Sequence, residues 1–227
     1  MSNLRSRLSA VPGIKERPII FSGSMVRAIL EGRKTQTRRA LKLQCPPDRS
    51  PRNIHSVQKR ERDGKWCFYA VDLYCIGEVG YCPYGVPGDE LWVRETFTRE
   101  VDPVTSRLTG RFLYAATDEC DFLDDGDGYA VLNKDGSERS PWKPSIHMPR
   151  EASRLQLVIG DVRLQRLREI SSADAVAEGL PATMRNEPIA VELFASLWDT
   201  INAKRAPWSS NPWVWVVTFE RKERDNG

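Results

Sequence analysis

Short runs of aromatic and β-branched residues recur along this chain, each closed by a turn residue, and few stretches carry helical periodicity. "RPIIF" (17–21), "WCFYAVDL" (66–73), "ELWVRETFT" (90–98), "RFLYAA" (111–116) and "WVWVVTFER" (213–221) read as strands. "RLQLVIGDVRLQRL" (154–167) reads as one long strand or as two interrupted near Gly160. The first helical pattern is "MVRAILEG", with Ser22 or Ser24 as its cap, Met25, Ala28 and Ile29 facing inward and Gly32 as its stop. A short helix is expected over 171–179, between serine caps and Gly179, with Asp174 in its first turn. A longer one is expected over 190–202, where Val191, Phe194, Leu197, Trp198 and Ile201 share a face. Many short strands with few helices favour an α+β fold built on a small mixed barrel over alternating βαβ units. Segments 44–64 and 118–141 lack periodicity and read as two loop insertions on one core.

A chain of 227 residues can form one large domain or two small ones and bury a substantial core. No apolar run reaches the eighteen residues of a membrane span, and the N-terminus has basic residues without a continuous apolar stretch. A cytoplasmic protein with no membrane partner is therefore expected. The five cysteines, an odd number, fit reduced thiols better than a disulfide framework. The net charge of +3 announces no global field, so any basic surface for nucleic acid must be local.

"ILEGRKTQTRRAL" (29–41) carries more polar chemistry than a turn needs. Its plainer reading is a helix C-cap followed by a solvated basic strand. Its sharper reading is a site. Gly32 allows a tight turn, Lys34 supplies a cation whose pKa moves if it is buried, and Thr37 supplies a hydroxyl that a base can activate. In a regular strand Lys34 and Thr37 point to opposite faces, so they share a site only if the chain is still turning between them.

"PGDELWVRETF" (87–97) adds a carboxylate. Strand alternation places Glu90, Trp92, Arg94 and Thr96 on one face and Leu91, Val93, Glu95 and Phe97 on the other. Glu95 thus lies on the apolar face and needs a partner, because burying a lone charge is costly. That partner is either a core arginine or Lys34.

The pairing of "GRKTQTRR" with "GDELWVRETF" resembles the ASCH superfamily, relatives of the PUA-like RNA-binding domains. The family's Gly-x-Lys-x-x-Thr-x-Arg run falls on Gly32, Lys34, Thr37 and Arg39. "PSIHMPR" and "NPWVWVV" are similar to a longer phage- and prophage-associated branch. The resemblance spans residues 17–221 as one domain, between an N-terminal extension (1–16) and a C-terminal tail (222–227). It implies a PUA-like β-barrel with a cleft beside the first helix. Some small ASCH proteins are amidohydrolases that remove the acetyl group from acetylcytidine, using a lysine, a threonine and a glutamate. Carried over by motif, these are Lys34, Thr37 and Glu95. Other relatives are described as ribonucleases or RNA-binding modules.

"WKPSIHMPR" (142–150) is too proline-rich for a regular helix. It is either a rigid strap over the barrel or a cleft rim, with Lys143, Ser145, His147 and Arg150 on a phosphate and a base stacked on Trp142. Arg33, Arg38 and Arg39 complete the expected substrate-binding set. No metal or cofactor is expected. No pair among Cys45, Cys67, Cys75 and Cys82 has the spacing of a structural zinc site, and the acidic run 118–129 lacks calcium-loop spacing. Trp213 and Trp215 are expected in the core.

The expectation is a nucleoside- or nucleic-acid-directed hydrolase that cleaves an amide on a modified base such as acetylcytidine. The alternatives are a non-catalytic RNA- or DNA-binding module, with RNA preferred, and a ribonuclease.

Overall fold

The computed structural model describes residues 13–42, 56–69, 75–102, 105, 107–118, 131–132, 138–139, 142–185 and 187–223. The chain is mixed α+β. Its strands are β1 (Glu16–Ile20), β2 (Gln36–Ala40), β3 (Ser56–Lys59), β4 (Trp66–Tyr69), β5 (Cys75–Gly80), β6 (Glu90–Arg94), β7 (Phe97–Val101), β8 (Leu108–Tyr114), β9 (Val131–Leu132), β10 (Glu138–Arg139), β11 (Gln156–Arg166) and β12 (Trp213–Arg221). Its α-helices are α1 (Gly23–Leu30), α2 (Ser172–Ala177) and α3 (Ile189–Asn202).

The central sheet has the order β1-β6-β11-β12-β2. β1 and β6 are parallel, and the other pairs are antiparallel. β3-β4-β5, β7-β8 and β9-β10 form smaller antiparallel sheets. The barrel expectation is met only at the coarser level. β1 and β2 end the central sheet without pairing to each other, although the Arg39 guanidinium donates to the Ile20 carbonyl across the gap at 2.6 Å.

β12 explains why its sequence is apolar at nearly every position. Trp213, Trp215, Val217 and Phe219 enter the main core with Ile19, Phe21, Val26, Ile29, Leu91, Val93, Leu157 and Ile159. Val214 and Val216, on the other face, join Leu167, Ala175, Phe194 and Trp198 under α2 and α3. A strand covered on both faces cannot alternate with polar residues. Each fully buried side chain of this size contributes about 1.5–3 kcal/mol relative to exposure.

Several expectations shift in detail. β11 is one strand, with a bulge at Gly160 between Ile159 and Asp161. The 90–98 segment is two strands, since β6 ends at Arg94 and β7 starts at Phe97 and pairs with β8 instead. The inward alternation still holds across the break, and Leu91, Val93, Glu95 and Phe97 are all buried. In α1 the buried face is Val26, Ala28 and Ile29, with Met25 only half-buried. In α3, Phe194 and Trp198 are buried, but Ile201 is 56% exposed. Residues 44–55, 119–130, 133–137 and 140–141 of the expected insertions, and 70–73 of the expected 66–73 strand, lie outside the described residues. No helix among the described residues is long and apolar enough to cross a membrane.

Candidate functional site

The Gly32–Arg39 segment leaves α1 through a turn that the glycine permits. Ser22 caps the helix by accepting from the Met25 amide, and Gly32 closes it at φ 73°. The amides of Arg33 and Lys34 both donate to the Ala28 carbonyl, so the chain is still turning at Lys34. β2 begins only at Gln36. Lys34 is thereby released from strand alternation, and its Nζ lies 5.5 Å from the Phe21 ring centroid. Thr37 and Arg39 face the main-core side by alternation, opposite Val217 and Trp215. The Arg39 guanidinium is over the same Phe21 ring at 5.3 Å.

The carboxylate that meets Lys34 is Glu178, not Glu95. Lys34 Nζ donates to Glu178 Oε2 at 2.9 Å, to the Glu178 carbonyl at 2.8 Å and to the Gln36 carbonyl at 2.8 Å. The Lys34 side chain has 0% exposure. Burial pushes its pKa down, and the Glu178 carboxylate opposes that shift. Because β2 is an edge strand, Glu178 reaches round it. Its Oε1 accepts from Arg38 Nη1 at 3.1 Å on the far face. Arg38 also donates to Asp174 Oδ2 at 3.0 Å and to Gln165 Oε1 at 3.3 Å, and its side chain has no solvent exposure. Burial raises the Asp174 pKa, but Arg38, Gln36 and Arg163 outweigh it and hold the carboxyl below its usual value.

α2 carries Glu178 into place. Ser171 and Asp174 form a capping box at its start, and Glu178 is its C-terminal cap. The Thr35 amide donates to the Ala177 carbonyl, and Arg33 Nη1 donates to the Gly179 carbonyl, which clamps the helix end to the α1–β2 turn. Gly179 has φ 113°, and a Cβ there would lie 3.2 Å from Ala28 Cβ and 3.5 Å from Lys34 Cβ. The "EG" pair at 178–179 therefore sets both the turn and the carboxylate. The sequence carried one signal for it. A glutamate at a helix C-terminus opposes the helix dipole, so it needs cations elsewhere.

Glu95 has the other partner that its apolar position allowed. Arg154 grips it through Nε and Nη2, both at 2.9 Å, and its carboxyl-bearing side chain is 1% exposed. The strap residues belong to that side of the molecule too. Lys143 bridges to Phe97, Arg150 donates to Glu16 Oε2 at 2.8 Å, and Met148 Sδ accepts from the Glu95 amide at 3.2 Å. Arg94 donates to the Ile146 carbonyl. Lys143 and His147 are exposed, and Trp142 and Ser145 are half-buried. Trp142, Lys143, Ser145, His147 and Arg150 thus form a strap along β1, β6 and β7, while Lys34, Thr37 and Glu178 gather at β2. Of the expected arginines, Arg33 and Arg38 are committed to Glu31, Gly179, Glu178 and Asp174. Only Arg39 has no carboxylate partner among the described residues, and its Nε is buried without a hydrogen bond.

Thr37, Arg39 and Glu178 line one small pocket of about 50 Å³, walled by Met25, Leu197 and Ile201. It shares Arg39 and Asn202 with an open cleft of about 800 Å³. Among the described residues no cluster of His, Cys, Asp or Glu could hold a metal ion. No protein-family model, no curated protein and no solved structure matches this chain, so its site is read from its own geometry.

Proposed function

We propose that this protein is a nucleoside-directed hydrolase that cleaves an amide on a modified base such as acetylcytidine. Thr37, Glu178 and Arg39 act on the substrate, and Lys34 positions Glu178. The observation that carries this reading is the Lys34–Glu178 pair, buried at the wall of a pocket that Thr37 also lines. Support also comes from the resemblance of Gly32, Lys34, Thr37 and Arg39 to the ASCH run.

The chemistry follows from which groups are free. Lys34 has three N–H donors and three acceptors, so its ammonium has no bond left for a ligand. It acts on the substrate through Glu178. Thr37 Oγ1 attacks the amide carbonyl carbon as its proton passes to the Glu178 carboxylate. The oxyanion that forms is met by the unpartnered Arg39 Nε–H. The protonated Glu178 then gives its proton to the leaving amine as the C–N bond breaks. Water, deprotonated by Glu178, then attacks the acyl carbon, and as the ester C–Oγ1 bond breaks Glu178 returns the proton to Thr37 Oγ1, which frees the carboxylic acid. A pocket near the scale of one or two waters holds a small acyl group and leaves the base and sugar to the adjoining cleft.

The same saturation of Lys34 favours a second reading, a binding module in which the ion cluster is purely structural. Incubating the protein with a panel of acylated nucleosides separates the two. The hydrolase releases the free nucleoside and the carboxylic acid. Absence of turnover across the panel, with polynucleotide binding that falls steeply with salt, identifies the binding module.

A further inference from the structure

The cleft of about 800 Å³ that shares Arg39 and Asn202 with the small pocket joins the end of the 29–41 segment to Tyr81, Tyr84 and Arg205, which no motif singled out in the sequence contains. Its lining includes Arg39, Lys42, Arg205, Tyr81, Tyr84 and Trp215, with no Asp or Glu among the described residues. Lys42 and Arg205 are exposed, and no ion pair engages either side chain among the described residues. Arg33, Arg38, Arg60, Arg150, Arg154 and Arg163 all meet carboxylates. Tyr81 is 60% exposed, with Lys65 Nζ over its ring at 5.8 Å from the centroid. Tyr84 is half-buried beside Arg39, and burial raises its phenol pKa, so it is a neutral donor. A volume of this size is that of a small-molecule site.

From this juxtaposition of cations, aromatic faces and a shared wall with the Thr37–Glu178 pocket, we infer that the cleft binds the phosphate of a nucleotide. The ligand is a nucleoside phosphate ester, with its base against the tyrosines and its phosphate on Lys42 and Arg205. A neutral nucleoside would leave both cations idle, whereas a phosphate monoester or diester offers each of them a charge-assisted hydrogen bond. The phosphate can come from a mononucleotide or from a longer RNA chain, and Arg39 marks the junction through which either presents its base to the pocket. The inference rests on the proposed function only for which atom reacts. The binding itself is independent of turnover.

The test measures binding, so it fails separately from the hydrolase reading. Cytidine, cytidine 5′-monophosphate and a short single-stranded RNA are titrated into the wild-type protein and into Lys42→Ser/Arg205→Ser by calorimetry. Both changes are at exposed positions and leave the fold intact. The nucleotide is expected to bind at least about tenfold more tightly than cytidine, the scale of one charge-assisted hydrogen bond. The double variant is expected to erase that difference and leave cytidine binding unchanged. If the RNA binds more tightly than the mononucleotide and with a steeper salt dependence, the source is an RNA chain. Equal affinity for the two makes it a mononucleotide. Equal affinity for cytidine and its monophosphate, a double variant that binds like wild type, or no binding of any of the three overturns the inference.

Discussion

Removing the Glu178 carboxylate tests the ion cluster at β2 directly. Its two oxygens serve different cations, Oε2 the Lys34 ammonium at 2.9 Å and Oε1 the Arg38 guanidinium at 3.1 Å. Both cations have 0% side-chain exposure. In Glu178→Ala, Arg38 still has Asp174 at 3.0 Å. Lys34 keeps only two carbonyls, those of Gln36 and residue 178. The change therefore strands one buried ammonium, which costs about 3–5 kcal/mol when a single partner of a buried pair is removed. For a chain of this length each kcal/mol moves the melting temperature by about 2–4 °C, so a fall of about 6–20 °C is expected. Lys34→Met in the same background removes the stranded charge and keeps most of the volume. It should recover much of the loss, with a coupling of about 2 kcal/mol or more in a double-mutant cycle. Urea unfolding of wild type, both single variants and the double variant measures this. The reasoning is refuted if Glu178→Ala melts with the wild type, or if the two single effects add to within about 0.5 kcal/mol.

Gly179→Ala should destabilise by about 1–3 kcal/mol, because a side chain at φ 113° is strained and its Cβ presses on Ala28. It should also lower turnover by displacing Glu178, and a thermal melt with an assay on the folded protein would show both. Arg154→Ala strands the buried Glu95 and should cost about 3–5 kcal/mol by urea unfolding. Turnover per folded molecule should stay at the wild-type value, because that pair is structural. Finally, Lys34 should titrate below the free value of 10.5, since burial disfavours its charge. The unfolded chain then binds more protons than the folded one between the two pKa values. The lysine's contribution to stability rises as pH climbs through that window, up to about 10.5. NMR of isotope-labelled lysine gives the midpoint, and a value at or above that of free lysine refutes it.

Local signals were legible in the sequence wherever one segment decides the outcome. The Gly32 stop, the serine cap and first-turn Asp174 of α2, the irregularity at Gly160 and the burial of Glu95 all follow from spacing and residue type. Partner choice was not legible, because it depends on how distant elements dock. Glu95 needed a cation, and alternation alone cannot say whether Arg154 or Lys34 supplies it. Glu178 comes from a helix 144 residues after Lys34, and only the clamp of α2 on the α1–β2 turn brings them together. Prolines did mark the 142–150 strap as irregular, but not which side of the sheet it follows. The cleft at Lys42, Tyr81 and Arg205 joins three separate segments with no motif among them.

The central claim is that Thr37 supplies the attacking oxygen. The most direct measurement is turnover by Thr37→Val on an acylated nucleoside that the wild type hydrolyses, alongside the affinity for the corresponding deacylated nucleoside. The methyl-for-hydroxyl exchange keeps the volume at the pocket wall and removes only the nucleophile. Turnover should fall by about two to four orders of magnitude while affinity changes less than about threefold, the pattern of a group that acts only in the transition state. Turnover at the wild-type rate would contradict the account and leave Thr37 as a wall of the pocket.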